Sequence, residues 1–310
     1  MELIIFIISM SALIYGAEIL INSSQKIAKY YNISPFILGS TLIALGTSLP
    51  EMAISMSASY KNSSQIAVSN VIGSTIFNIS LVLGIVFLIS KNIYIKRDLF
   101  AKDSAWVIFP IIIFIIMSLD SKLNYIDGIL LIITMIAYIL YLINSNQIDK
   151  NIGPIEETLL NKEKLNKLLQ ISLIIIGFLL TIIGSHYTIS SATIIASSIG
   201  VSNWIIGLFL VAFGTSLPEL VISIKAALKN QIDLAIGNII GSNVANFCIV
   251  LGASSLVNTL NIDLNRYFFD ISCAFILCIM LIFIMANKIY NKSSGILLLI
   301  ILTLVIQNSI

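Results

Sequence analysis

The sequence predicts an all-α polytopic membrane protein with ten transmembrane helices, arranged as two inverted five-helix repeats, and with both termini outside the cell. Three observations lead to this prediction. The chain of 310 residues is 58% hydrophobic and only 10% charged, whereas soluble domains carry about 25% charged residues. It contains ten apolar runs long enough to cross a bilayer. Its two halves also match each other, which indicates a duplicated unit.

The duplication is carried by two short motifs that recur 168 residues later in the chain. The hexapeptide Gly-Thr-Ser-Leu-Pro-Glu occupies residues 46–51 and returns unchanged at residues 214–219. Gly-Ser-Thr-Ile-Phe-Asn at residues 73–78 matches Gly-Ser-Asn-Val-Ala-Asn at residues 241–246. The same register holds without a gap from about residue 14 to residue 84, so a whole unit is duplicated.

Apolar runs of about 17–25 residues mark helices that cross the hydrocarbon core. The predicted spans are 3–21, 34–59, 65–90, 104–119, 126–143, 168–190, 203–228, 232–257, 268–287 and 294–308. Residues 1–143 form the first repeat, 144–167 a polar cytoplasmic linker, and 168–310 the second repeat. Because five is an odd number, the second repeat enters the membrane in the opposite orientation. Inverted repeats are typical of secondary transporters, whose site lies near mid-membrane where the repeats meet.

The positive charges test this topology independently. With the N-terminus outside, 14 of the 17 Lys and Arg residues fall in inner loops, and only Lys61, Lys122 and Arg266 fall outside. Cytoplasmic loops are enriched in Lys and Arg, so this bias places both termini outside. The N-terminus lacks a basic region and a small-residue cleavage site, so residues 3–21 are interpreted as a retained helix. The net charge of +2 gives no indication of nucleic-acid binding.

Three acidic residues, Glu18, Glu51 and Glu219, lie inside predicted spans, where no Lys or Arg lies at comparable depth. A charged side chain at the bilayer centre costs about 2.5–3.5 kcal/mol on insertion scales. These carboxylates therefore need protons or cations from solution. The alternative is a purely structural role, in which protonated Glu51 and Glu219 form hydrogen bonds between helices.

Other oxygen donors accompany the two motif glutamates. Pro50 and Pro218 each remove a backbone donor, and such a break is tolerated at membrane depth only where it faces protein or a water-filled cavity. Hard cations prefer oxygen, and Ca²⁺ takes about six to eight oxygen ligands. The candidate ligands are the side chains of Glu51, Glu219, Thr47, Ser48, Ser74, Asn78, Thr215, Ser216, Ser242 and Asn246, with the freed carbonyls of Ala44 and Ala212.

Nitrogen and sulfur ligands, which transition metals prefer, are scarce. The single His186 is interpreted either as a polar residue near the membrane surface or as part of a path by which ions reach the site. Cys248, Cys273 and Cys278 lie in apolar runs and are interpreted as free thiols that serve as small apolar residues. No nucleotide-binding Gly loop or protease motif occurs, so neither enzymatic activity nor an organic cofactor is expected.

These motifs resemble the α-repeats of the cation/calcium exchanger superfamily, and the prokaryotic sodium/calcium exchangers are the most similar branch. The resemblance covers essentially the whole chain and implies the ten-helix inverted-repeat fold. It implies that Glu51 and Glu219 bind Ca²⁺ and Na⁺ in turn, and that the remaining candidate ligands complete the ion cluster. It also implies that the first and sixth helices slide as a pair across the other eight.

Asn246 departs from the pattern of this superfamily, because archaeal relatives and potassium-dependent exchangers are similar in having Asp at this position. Asn at both 78 and 246 resembles the pattern found in potassium-independent sodium/calcium exchangers. The resemblance thus implies a multi-pass antiporter of the cytoplasmic membrane, electrogenic with about three Na⁺ per Ca²⁺ and independent of K⁺. Its partners are Na⁺, Ca²⁺ and the lipid bilayer, with no obligatory protein partner implied. A Ca²⁺/H⁺ exchanger and, less favoured, a cation channel are the alternatives.

Overall fold

The computed structural model describes residues 2–90, 93, 95, 97–152, 166–198 and 212–309, and these residues are almost entirely helical. The helices are α1 (Glu2–Tyr31), α2 (Pro35–Thr47), α3 (Leu49–Tyr60), α4 (Ser64–Ile89), α5 (Leu99–Met117), α6 (Tyr125–Ile152), α7 (Lys167–Ser198), α8 (Ala212–Thr215), α9 (Leu217–Leu228), α10 (Ile232–Val257), α11 (Leu264–Ala286) and α12 (Lys292–Ser309). Two short antiparallel strands, β1 (Lys122–Leu123) and β2 (Leu260–Asn261), connect the loops that follow α5 and α10. Helices dominate because hydrocarbon offers the backbone no hydrogen-bond partner, and a helix pairs its own N–H and C=O groups.

The membrane class predicted from composition is confirmed. Seven of the described helices are long and apolar enough to cross a bilayer, and the bent pair of α2 and α3 adds an eighth span. Helix α12 is apolar but shorter. The predicted span 203–228 begins outside the described residues and continues as α8 and α9. The count of ten spans and the position of the termini stay predictions.

Several helices extend beyond the predicted apolar runs. Helix α1 continues to Tyr31 and α7 to Ser198, and α6 reaches Ile152, well inside the predicted linker 144–167. Residues 153–165 of that linker lie outside the described residues. The difference arises because hydropathy marks only the part of a helix that lies in hydrocarbon, and a helix can continue into water.

Helices α1 and α7 form a close antiparallel pair through glycines at matching positions of the two repeats. A Cβ on Gly16 would lie 2.8 Å from the backbone nitrogen of Thr181, and one on Gly184 would lie 2.7 Å from that of Leu13. Residues early in α1 thus face residues late in α7. Small residues let membrane helices approach to backbone contact, which van der Waals packing then stabilises.

The loops that follow α3, α5 and α10 meet at one face of the molecule. Ser59 donates to the carbonyl of Ser254 at 2.6 Å, and Asn258 Nδ2 donates to Asn62 Oδ1 at 2.6 Å. The loop after α5 contacts the loop after α10 through the strand pair β1–β2. At the opposite face the Lys167 ammonium group lies 5.1 Å from the centre of the Tyr30 ring, which connects the end of α1 to the start of α7. Among the described connections, those after α3, α5 and α10 thus lie at one face and the end of α1 and the start of α7 lie at the other, as membrane-spanning helices require.

A buried ion pair lies at the second face, at the start of α5. Arg97 Nε donates to Asp103 Oδ2 at 2.7 Å, and Nη2 donates to Oδ1 at 3.1 Å. Arg97 Nη1 also donates to Ser145 of α6 at 2.8 Å, and the guanidinium group lies 4.9 Å from the centre of the Phe36 ring in α2. Arg97 thus connects the starts of α2 and α5 to the last turns of α6.

Replacing Arg97 with Gln should lower the free energy of unfolding by about 3–5 kcal/mol, because the buried Asp103 carboxylate would lose its bidentate partner. Thermal unfolding of the purified protein in detergent measures this loss. Arg266, which is exposed at the start of α11, provides the control, and Arg266→Gln should change the free energy by no more than about 0.5 kcal/mol. Equal unfolding midpoints for Arg97→Gln and the native protein would show that the ion pair adds nothing to stability.

Candidate cation-binding site

The two copies of the hexapeptide form the same break in the backbone. Ser48 joins α2 to α3 with φ −82° and ψ 4°, and Ser216 joins α8 to α9 with φ −87° and ψ 7°. At Ser48 the chain bends by 42°. A proline follows at the second position of each new helix, Pro50 in α3 and Pro218 in α9, where its missing N–H costs little. The predicted break in the membrane helices is therefore confirmed.

The break places a glutamate in the first turn of each new helix. Glu51 in α3 and Glu219 in α9 are both fully buried. None of their four carboxylate oxygens forms a hydrogen bond of regular geometry with a donor of the described chain. The positive end of a helix macrodipole lies at its N-terminus and favours negative charge there. Both carboxylates are therefore held in the interior at the N-terminal ends of helices, where a negative charge is favoured.

Hydroxyl groups from both repeats surround these carboxylates. Thr47, Ser48 and Ser242 lie beside the Glu219 carboxylate. Ser74 lies beside Glu51, which is also close enough to Glu219 for their charges to interact. The hydroxyls of Thr47 and Ser242 are 3.4 Å apart, and those of Ser74 and Ser216 are 2.9 Å apart. Because each pair joins one repeat to the other, the site lies at the junction of the repeats.

The two repeat-related asparagines also lie in this junction. The helix widens from α to π geometry at each of them, over Asn78–Leu83 in α4 and Asn246–Val250 in α10. Asn246 Nδ2 donates to the Ser74 hydroxyl at 3.1 Å, and Asn78 Nδ2 donates to Asn243 Oδ1 at 3.0 Å. π segments inside helices are frequent at functional sites. Both amides are anchored through nitrogen, so their oxygens remain available.

The unpaired polar atoms of this junction are all oxygens. Together with the four carboxylate oxygens they include Asn78 Oδ1, Asn246 Oδ1 and Ser48 Oγ, which are buried and have no hydrogen-bond partner in the described chain. A buried acceptor without a partner loses the hydrogen bonds that water would give it, which costs about 1–3 kcal/mol each. An oxygen-preferring cation would compensate this loss, and Ca²⁺ and Na⁺ are such ions.

Not every predicted ligand is placed as expected. The prediction that the break frees the Ala44 carbonyl is wrong, because it accepts from the Ser48 N–H at 3.0 Å and from the Thr47 hydroxyl at 3.1 Å. The donor that Pro50 lacks would have reached a carbonyl four residues earlier, not the one at Ala44. Ala212 begins α8. Thr215 lies at the edge of the cluster and donates to Asn70 Oδ1 at 3.4 Å.

The sequence interpretation missed a layer of amides behind the ligands. Asn70 in α4 and Asn238 in α10 occupy the same position of the two repeats and donate to Ser55 and Ser223, which also match each other. Asn243 supports Asn78. Both Asn and both Ser obey the 168-residue offset, so extending the repeat comparison one turn beyond the motifs could have found them.

Glu18 is not an unpaired carboxylate, and the prediction that it lacks a basic partner is wrong. Its two oxygens lie 3.6 Å from Lys225 Nζ and 3.3 Å from Lys229 Nζ, and its side chain is 42% exposed. The reason is that α1 and α9 cross near the end of α9, which brings distant lysines to Glu18.

His186 is exposed on α7 against the Tyr187 ring, away from the carboxylate pair. The three cysteines are free thiols, as predicted.

Comparison with known proteins agrees with this site and fold. Residues 1–144 and 169–307 match the family described as sodium/calcium exchanger protein. The chain is 37% identical over 253 residues to a membrane protein of Methanocaldococcus jannaschii described as uncharacterized, with 81% of this chain and 80% of that one covered. It is 28% identical over 333 aligned positions to the sodium/calcium exchanger MaX1 of Methanosarcina acetivorans, with 96% and 95% covered.

A solved structure gives the same result for the fold. The sodium-calcium exchanger NCX_Mj, soaked with zero Na⁺ and Ca²⁺, superposes with a TM-score of 0.85 at 30% sequence identity, covering 100% of this chain and 99% of that one. The match thus includes both repeats and the junction between them. This chain belongs to the sodium/calcium exchanger protein family, within the cation/calcium exchanger superfamily that its motifs resemble.

Proposed function

We propose that this chain is an electrogenic antiporter, which exchanges several Na⁺ for one Ca²⁺ by alternating access and does not require K⁺. The observation that carries the proposal is the pair of fully buried carboxylates, Glu51 and Glu219, one from each repeat. No Lys or Arg of the described chain forms an ion pair with either of them. Their combined charge of −2 balances one Ca²⁺, and Na⁺ ions can take its place at the same oxygens.

The proposed coupling is energetically sufficient for Ca²⁺ extrusion. If about three Na⁺ enter for each Ca²⁺, a tenfold Na⁺ gradient supplies about 4 kcal/mol. The one net charge that moves per cycle adds roughly 2.3 kcal/mol at 100 mV. The sum of about 6.5 kcal/mol can sustain a Ca²⁺ gradient of about 10⁴ to 10⁵.

The assignment of individual ligands is part of this proposal. Glu51 and Glu219 bind Ca²⁺ and Na⁺ alternately, and oxygens from both repeats complete the cluster. The supporting oxygens are those of Thr47, Ser48, Ser74, Asn78, Thr215, Ser216, Ser242 and Asn246, with the carbonyl of Ala212. MaX1 is named a sodium/calcium exchanger, and NCX_Mj has been soaked with Na⁺, Ca²⁺ and Sr²⁺, which supports this choice of ions.

We infer the same topology for the whole chain: ten spans in two inverted repeats, with both termini outside the cytoplasmic membrane. The alternation of the described loops between two faces supports the topology. The excess of Lys and Arg in the loops assigned to the inside supports the orientation. Alternating access then requires the first and sixth helices, here α1 and α7, to slide as a pair across the other helices that hold the ion cluster.

The competing function is Ca²⁺/H⁺ exchange, because carboxylates can carry protons as well as metal. Vesicles loaded with Na⁺, with the pH gradient collapsed by an ionophore, separate the two functions. Outward Na⁺ should drive ⁴⁵Ca²⁺ uptake to the same level with and without K⁺, because Asn78 and Asn246 are neutral amides that add no further carboxylate. Uptake that needs a pH gradient would favour the proton exchanger, and a K⁺ requirement would contradict potassium independence.

The same vesicles test whether the protein is a channel. An antiporter moves Ca²⁺ only when a counter-ion leaves, so uptake should stop when Na⁺ is absent from the inside. Ca²⁺ flux that continues without internal Na⁺ would favour a channel.

A further inference from the structure

The amide layer behind the ligands follows the repeat symmetry at one end of each side chain. Asn70 Nδ2 donates to the Ser55 hydroxyl at 3.0 Å, and Asn238 Nδ2 donates to the Ser223 hydroxyl at 3.1 Å. Each serine lies one turn after a motif glutamate, and both serines are fully buried. The nitrogen of each asparagine is thus held by its own repeat.

The symmetry fails at the oxygen end of the same side chains. Asn70 Oδ1 accepts from the Thr215 hydroxyl of the opposite repeat at 3.4 Å. Asn238 Oδ1 is fully buried and has no hydrogen-bond partner in the described chain. Thr47, which matches Thr215, donates within its own repeat to the Ala44 carbonyl at 3.1 Å and lies 3.4 Å from the Ser242 hydroxyl. The two motif threonines therefore differ in which residue of the opposite repeat they contact.

The residues that the two threonines contact lie at repeat positions one helical turn apart. Ser242 lies four residues after Asn238, which corresponds to about 6 Å along α10. In one half the threonine contacts the asparagine position, and in the other half it contacts the serine one turn further on.

The chemistry of a hydroxyl ligand explains why this contact matters. A threonine that binds a cation must direct a lone pair at the ion and send its proton elsewhere. An amide oxygen accepts protons and carries no charge, so it receives that proton without competing for the ion. Asn70 Oδ1 is in the position to do this for Thr215. Asn70 also donates to the Glu51 carbonyl at 3.3 Å, which connects the threonine of one repeat to the carboxylate helix of the other.

We propose that Asn70 and Asn238 are positioning residues that act in turn, each orienting the motif threonine of the opposite repeat. Asn70 holds Thr215 in the state seen here, and Asn238 holds Thr47 in the state that opens to the other side of the membrane. Inverted repeats exchange roles when access changes sides, so a contact made in one half and missing from the other half should reverse. This inference rests on the proposed alternating access, but not on which ions are exchanged.

Transport measured from each side of the membrane tests the proposal. In right-side-out and inside-out vesicles, Asn70→Leu should raise the half-saturating Ca²⁺ concentration about tenfold on one side, which is the effect of losing the one hydrogen bond, to Thr215, that is expected to differ between the two states. Asn238→Leu should do the same on the opposite side, and each should stay within about twofold on its unaffected side. Asn258→Ala, which removes only a surface contact with Asn62, should alter neither side. Equal changes on both sides, or changes on the same side for both variants, would overturn the proposal.

Disulfide formation tests it without any transport reading. In a background where Cys248, Cys273 and Cys278 are replaced by Ala, one variant carries Asn70→Cys with Thr215→Cys and a second carries Asn238→Cys with Thr47→Cys. Cross-linking of the two pairs should change in opposite directions when Na⁺ is replaced by Ca²⁺ or when all exchangeable ions are removed. Pairs that cross-link in parallel under every condition would contradict the inference, even if the native protein exchanges Na⁺ for Ca²⁺. Reciprocal cross-linking without Na⁺-driven uptake would instead leave the inference standing and reject the proposed ions.

Discussion

Glu51→Gln and Glu219→Gln should each abolish Ca²⁺ exchange while the protein still inserts into the membrane. Glutamine keeps the shape of glutamate, so the fully buried site should stay closed around it. Each variant leaves a charge of −1 opposite a divalent ion. One carboxylate charge is worth about 4 kcal/mol against a unit charge 4 Å away at an effective dielectric constant of 20. Ca²⁺ affinity should therefore fall by about 10³-fold or more.

Na⁺-driven ⁴⁵Ca²⁺ uptake into vesicles measures this loss, with the amount of inserted protein determined in parallel. Glu18→Gln is the matched control, since Glu18 is a membrane-helix glutamate that is partly exposed and paired with Lys225 and Lys229. Exposed ion pairs contribute little because water and salt screen them, so this variant should keep most of its activity. Near-normal uptake by either motif variant would refute the ligand role of that glutamate.

Gly241→Ala should disrupt the junction between the repeats and abolish exchange. A Cβ at Gly241 would lie 2.4 Å from the Ser40 carbonyl oxygen, and one at Gly237 would lie 2.3 Å from that of Phe36. These neighbours are backbone atoms, which cannot rotate away as side chains do. Helix α10 would have to move off α2, which would separate Ser242 from Thr47. Forced overpacking of this kind typically costs about 1–3 kcal/mol, and backbone contact places it at the upper end.

Gly84→Ala in α4 provides the control for this change. Its Cβ would meet the Leu299 side chain at 3.1 and 3.2 Å and the Gly295 carbonyl oxygen at 3.3 Å. A rotation of the side chain and a shift of a few tenths of an ångström would relieve these contacts, whereas the contact at Gly241 is almost 1 Å shorter. Thermal unfolding and ⁴⁵Ca²⁺ uptake should both decline for Gly241→Ala and stay near native for Gly84→Ala. Native stability and uptake in Gly241→Ala would show that α2 and α10 do not need backbone contact.

The sequence by itself determined the membrane class, the duplication, the two broken helices and the two buried glutamates. Hydropathy and repetition are local properties, because the cost of burying charge and the length of a bilayer span act on each segment separately. The paired motif also identified the family before any contact was known. Hydropathy did not determine where helices end, as the continuation of α6 to Ile152 shows. A helix can extend past the edge of the hydrocarbon layer into water.

Only the tertiary structure decided which groups are partners. Glu18 seemed equivalent to the motif glutamates in the sequence, yet helix crossing gives it two lysines 207–211 residues away. The approach of helices from the two repeats likewise brings Ser74 to Ser216 and Thr47 to Ser242. It also gives Asn70 a contact with Thr215 that its repeat-related Asn238 does not make with Thr47. Pairings of this kind depend on how helices approach one another, and identical sequence motifs in two repeats cannot reveal that their contacts differ by one helical turn.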